Sequence, residues 1–68
     1  MMDNLDKEIV RLLRRHKELS TYEIAKRVKV SWSTVYTRLL KLALNGIIEM
    51  KKYEEFPTLR TIYWKIKK

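Results

Sequence analysis

Apolar residues recur every three or four positions through the first two thirds of this chain, and the rhythm changes after Gly46. The first run sets Leu5, Ile9, Leu12, Leu13 and His16 at helical spacing behind Asp3, a plausible N-cap with a second aspartate, Asp6, three residues on. This predicts a helix over about residues 4–17. Glu18, Leu19 and Ser20 break the period, and Ser20-Thr21-Tyr22-Glu23 then matches the S-x-x-E capping box, in which serine and glutamate each satisfy the other's backbone donor. A short helix over about 21–28 follows, burying Ile24, Ala25 and Val28. Ser31 caps a third helix over about 32–45, whose stripe of Val35, Leu39, Leu42 and Ala43 repeats at helical intervals and ends at Asn45-Gly46, a left-handed stop.

Past Gly46, "IIEMKKY" and "RTIYWKI" are rich in β-branched and aromatic residues. In the second run Ile62, Trp64 and Ile66 alternate with Thr61, Tyr63 and Lys65, the period of a strand with one buried face. "EEFPTL" lies between them, and its proline cannot donate to a β ladder. The reading is an α+β domain over 1–68: three helices followed by a two-stranded β-hairpin over about 47–67.

Composition narrows the choices. Sixty-eight residues suit one small domain, and no separate ligand-binding domain is expected. It contains no cysteine, so the core holds the fold without disulfides or thiolate metal sites, as suits a reducing cytoplasm. No apolar run approaches the ~20 residues that span a bilayer, and "MMDNLDKEIV" carries acids where a secretory signal carries bases; a soluble protein with no membrane partner is expected. Sixteen Lys and Arg against eight Asp and Glu give a net charge of +8, which favours a polyanionic partner. No acid occurs between Glu23 and Glu49, a window holding Lys26, Arg27, Lys29, Arg38 and Lys41. The absence of Gln, with one Gly and 35% charged residues, fits a thermophilic source.

"LSTYEIAKRVKVSWSTVYTRLLKLALNGIIE" resembles the core of archaeal and bacterial winged helix-turn-helix regulators of the Lrp/AsnC, MarR and ArsR kinds. The resemblance is carried by Ile24-Ala25, Val30-Ser31, Thr34-Val35, Arg38, Leu39, Leu42 and Gly46-Ile47-Ile48. The compact length is similar to that of minimal winged-helix proteins of archaeal viruses and plasmids. The chain departs from these families in lacking the Lrp effector domain and the ArsR cysteine and histidine clusters, and Lys29 occupies a turn position that often holds glycine. The resemblance implies a third helix that enters the DNA major groove nose first and a wing on the backbone or minor groove.

On that footing the expected DNA-binding residues are Trp32, Ser33, Thr34, Thr37, Arg38 and Lys41 on helix 3, with Lys26, Arg27 and Lys29 behind them and Lys51, Lys52 and Arg60 on the wing. Arg38 has the fork of donors that matches guanine O6 and N7, the threonine methyls suit thymine methyls, and Ser33 and Thr34 can hold a phosphate beside free backbone amides. Lys26, Arg27 and Lys29 would fix register on the sugar-phosphate backbone without reading sequence. Trp32 has two readings, stacking on the nucleic acid or folding back on its own helix. Trp64 reads as core. Arg11, Arg14 and Arg15 read as a solvated face, and His16 as an ordinary helix-end histidine. Glu54 and Glu55 would repel phosphate, so the strands rather than the wing tip are expected to touch DNA.

A second apolar stripe, Tyr36, Leu40 and Leu44, together with Met1, Met2 and Val10 on helix 1, offers a homodimer surface. No nucleophile, carboxylate pair or glycine-rich phosphate loop supports catalysis, and neither cofactor nor metal is expected. The leading function is a sequence-specific double-stranded DNA-binding transcriptional regulator. The alternatives are non-specific DNA packing and a winged-helix module that docks another protein.

Overall fold

The computed structural model describes residues 2–52 and 62–68. Its elements run α1 (Asn4–Arg15), β1 (Leu19–Ser20), α2 (Thr21–Val28), α3 (Trp32–Leu44), β2 (Ile48–Lys52) and β3 (Ile62–Ile66). The three helices and a small antiparallel sheet agree with the α+β architecture expected from the sequence. The sheet has one strand more than the hairpin: its order is β1-β3-β2, with Leu19 opposite Trp64 and Ser20 opposite Tyr63. The residues that interrupt the helical period after α1 therefore cover the otherwise open edge of β3. β2 and β3 pair in register from Ile48↔Ile66 to Lys52↔Ile62.

Local chemistry sets the helix ends. Asp3 and Asp6 form a reciprocal capping box at α1, and Ser20 and Glu23 form another at α2, with Glu23 N–H donating to Ser20 Oγ at 3.1 Å and Ser20 N–H to Glu23 Oε1 at 2.9 Å. α1 ends at Arg15, short of Lys17, because His16 turns to extended backbone while its N–H still donates to Leu12 O. α2 stops at Lys29, which takes the left-handed conformation at φ 58°. α3 ends in a Schellman turn: Gly46, at φ 74°, donates to Ala43 O, and Ile47 donates to Leu42 O. Ser31 departs from expectation. It occupies the N-cap of α3, yet its side chain makes no cap hydrogen bond and its hydroxyl donates to Thr34 Oγ1 at 2.9 Å.

Ile9, Leu13, Ile24, Val35, Leu39, Leu42, Ile48 and Trp64 meet in one core with almost no exposed surface. Ala43 lies at its margin, half-buried. Val10, assigned from the sequence to exposed apolar surface on α1, is buried instead, because it falls on the same side of α1 as Ile9 and Leu13. Trp64 is fully buried, and its indole N–H donates to Thr21 Oγ1 at 2.8 Å, so the polar edge of the largest core side chain is satisfied. No helix among the described residues is long and apolar enough to cross a membrane.

Candidate nucleic-acid interface

The orientation of α3 follows from its buried stripe. With Val35, Leu39 and Leu42 facing inward and about 100° between successive residues, Ser33, Thr37, Leu40 and Leu44 fall roughly opposite the core. All four are exposed, Leu44 the most at 88%. Thr37 donates its hydroxyl proton to Ser33 O at 2.9 Å while the residue itself stays exposed. Thr34 lies beside this ridge and is also exposed. The sequence reading shares Ser33, Thr34 and Thr37 with this exposed surface, counted Arg38 and Lys41 in it, and left Leu40 out of it.

Each side of the ridge is closed differently. On one side Trp32 stacks on Tyr36, ring centroids 4.9 Å apart and planes 13° from parallel, and Tyr36 meets Trp64 edge-on at 6.1 Å. The second reading of Trp32 therefore describes its position: it folds onto its own helix one turn away. The sequence held the signal for this, since positions 32 and 36 are helical neighbours.

On the other side, Arg38 and Lys41 are turned toward α1. Arg38 Nη1 bonds Asp3 Oδ2 and lies 3.3 Å from Asp6 Oδ1, and Lys41 Nζ lies 2.5 Å from Asp6 Oδ2. Asp6 has no exposed side-chain surface, whereas Arg38 and Lys41 keep 30% and 42% of theirs. Burial alone would push the Asp6 carboxyl up; the Lys41 ammonium, the Arg38 guanidinium and the Asp3 backbone N–H outweigh it and hold the group below its ordinary 3.8. The Asp6 backbone N–H, then Arg38, likewise lower Asp3, and the Asp3 and Asp6 carboxylates raise Arg38 further. The structure thus joins four residues that the sequence reading had assigned separately, two as a helix cap and two as DNA contacts.

Lys26, Arg27 and Lys29 are exposed at the end of α2, next to the turn into α3, and Lys51 and Lys52 are exposed at the end of β2. Arg60, and with it Glu54 and Glu55, lies outside the described residues. Among the helices, α1 and α2 have side-chain caps on their first-turn amides, and α3 has none. A phosphate oxygen can serve the amides that Ser31 leaves uncapped.

Comparison with known proteins agrees with this fold. A family model described as winged helix-turn-helix DNA-binding matches residues 2–49. An uncharacterized HTH-type transcriptional regulator of Pyrococcus abyssi is 41% identical over 49 residues, covering 72% of this chain and 33% of the relative. A second, from Pyrococcus furiosus, is 42% identical over 48 residues, covering 71% and 32%. The chain thus spans about a third of the length of these curated relatives, and both come from thermophilic archaea. Among solved structures, the YusO protein of Bacillus subtilis superposes with a TM-score of 0.84 at 22% identity, over 96% of this chain and 45% of that one. The Zalpha domain of Carassius auratus PKZ, solved in complex with Z-DNA, superposes at 0.78 with 19% identity, over 91% and 90%. At these identities the structural likeness speaks for the fold, and the family match carries the assignment: the chain belongs to the winged helix-turn-helix DNA-binding family.

Proposed function

We propose that this chain acts as a sequence-specific double-stranded DNA-binding transcriptional regulator, with α3 in the major groove and the β2–β3 wing along the backbone or minor groove. The observation that carries the proposal is the exposed, acid-free ridge of Ser33, Thr37 and Leu40 opposite the core stripe of α3, in a chain of net charge +8. A ridge of this shape offers methyl groups to thymine methyls and hydroxyl oxygens to base-edge donors. Lys26, Arg27 and Lys29 at one end, and Lys51 and Lys52 at the end of β2, serve the phosphates. Ser33 and Thr34 join the uncapped amides of α3 around one phosphate. Trp32, steadied by Tyr36, presents its remaining surface, 37% exposed, to a sugar edge or thymine methyl at the nose of the helix.

Arg38 and Lys41 take a different part from a free arginine fork. Their side chains are engaged by Asp3 and Asp6, so they act as held cations at the α1 edge of the ridge and base discrimination falls to its small apolar groups. Leu40 and Leu44 remain of the stripe considered for a homodimer, since Tyr36 packs on Trp64 and Val10 is buried. Leu40 lies on the same ridge as Ser33 and Thr37 and is assigned to DNA, which leaves Leu44 and Met2 for a homodimer contact.

The test is selection of duplexes from a random pool, followed by fluorescence-anisotropy titration of the winning sequence and a scrambled one at several salt concentrations. Preference for the selected duplex by ~10³ or more, with a steep salt slope, supports the regulator. Equal affinities with a steep slope would make the chain a packing protein, and no binding at low salt would contradict both.

A further inference from the structure

A second concentration of positive charge lies away from α3. The last turn of α1, the residues that lead into β1, and the end of β3 enclose a groove of about 600 Å³. Arg14, Arg15, Lys17, Lys65 and Lys68 line it against a single acid, Glu18. Leu13 and Ile66 give it an apolar lining. None of its lining residues belongs to α2, α3 or β2.

The ordinary explanation covers part of this charge. Cations in the last turn of a helix complement its dipole, and α1 ends in Arg14 and Arg15. Lys17, Lys65 and Lys68 lie outside that helix and converge on the same hollow because β3 packs against α1. Lys65 reaches Glu49 at 3.5 Å, a half-exposed pair that only partly offsets its charge. Gathering five cations around one concavity costs repulsion in the free chain and is relieved by an anion that spans them.

We propose that this groove is a second phosphate-binding site that takes the sugar-phosphate backbone of a DNA segment other than the one under α3. α1 has 12 residues and is about 18 Å long. Its first turn meets α3 through Asp3 and Asp6, and its last turn forms the groove, so the two surfaces are separated by roughly the length of that helix. Backbone phosphates along one strand of a duplex recur about every 7 Å, which suits several cations in one trough better than a single small anion does. The chain would then hold two duplex segments, one by the α3 ridge and one by the groove, and contacts in the groove would be blind to sequence.

The experiment is an amide-resolved NMR titration of the whole chain with a short duplex, at low and at doubled salt, with a parallel titration by inorganic tripolyphosphate. The expected result is two separable sets of shifts: α3 signals move at the first equivalent, and those of residues 13–18 and 65–68 move at higher duplex concentration. The groove set weakens about sixfold to twelvefold when the salt is doubled, as neutralising three or four phosphates requires. In the double variant Arg14→Glu, Lys17→Glu, at two exposed positions, the groove set is lost and the α3 set stays. Groove signals unmoved by excess duplex at low salt, or moved by tripolyphosphate alone, would overturn the proposal. Because the α3 signals are read in the same titration, failure of the groove and failure of the α3 interface are distinguishable.

Discussion

Lys41 Nζ lies 2.5 Å from Oδ2 of Asp6, a carboxylate at the start of α1 with no exposed side-chain surface. The same carboxylate accepts from Arg38, so both cations of α3 are balanced from within the fold. Removing Asp6 therefore has opposite effects on stability and binding. Asp6→Ala is expected to cost about 2–3 kcal/mol through its lost charge-assisted bonds, lowering Tm by roughly 10–20 °C in a domain this small. It frees Lys41 and leaves Arg38 held by Asp3 alone, so the salt slope for non-specific duplex steepens by about 1. Calorimetry and anisotropy on the one variant read both; a softer fold with an unchanged slope would show that these cations never reach phosphate.

The acid response has a defined sign. Asp3 and Asp6 both have carboxyls lowered in the folded chain, so their contribution is complete above the ordinary carboxylate value of 3.8 and is lost as pH falls through the folded values. Urea midpoints are expected to hold steady from about pH 7 to 5 and to decline below about pH 4. The double variant Asp3→Asn, Asp6→Asn should start lower and decline less over that acid range.

Lys29 adopts a left-handed backbone, which an L-residue with a side chain occupies at a cost of ~1–2 kcal/mol. Lys29→Gly relieves that cost and loses some unfolded-state restraint in return, so a net gain of about 0.5–1 kcal/mol is expected. The same change removes an exposed cation next to α3. A more stable protein whose salt slope on DNA falls by about 0.9 is the expected pair of results, and thermal melts with salt-series titrations supply them.

Local signals made much of this fold legible. Both aspartate and serine capping boxes, the glycine stop of α3 and the alternation around Trp64 are written within a few residues of where they act. β1 was not legible, because two residues give no period and Leu19 becomes a strand only when Trp64 lies opposite it. The partners of Arg38 were not legible for a related reason: Asp3 and Asp6 are more than thirty residues away, and each already had a local role as a cap. That long-range contact draws the Arg38 and Lys41 side chains to α1, while the buried stripe of Val35, Leu39 and Leu42 is what sets Leu40 on the exposed face. The stacking of Trp32 on Tyr36 was readable from their spacing, but choosing it over an outward indole required Trp64 to brace Tyr36 from behind.

If Leu40 and Thr37 meet thymine methyl groups, uracil at those positions of the selected duplex removes the contact and leaves the pairing intact. About a fourfold loss of affinity is expected per methyl, from ~0.8 kcal/mol for each buried methyl-sized group. In Leu40→Ala the penalty at the facing thymine should shrink, and a double-mutant cycle of protein and base isolates that coupling. Equal affinity for thymine and uracil duplexes would assign the discrimination elsewhere on α3.

The central claim, that the outward ridge of α3 is the DNA-reading surface, turns most directly on Thr37, which is exposed and bonded only within its own helix among the hydrogen bonds described. The decisive measurement is an anisotropy titration of the wild type and Thr37→Glu against the selected duplex, with a thermal melt to confirm that the variant stays folded. A carboxylate at the floor of the major groove is predicted to lower affinity about a hundredfold or more, through repulsion and unpaired polar groups at the interface. Affinity within twofold of the wild type at low salt would place the DNA on another face of the protein.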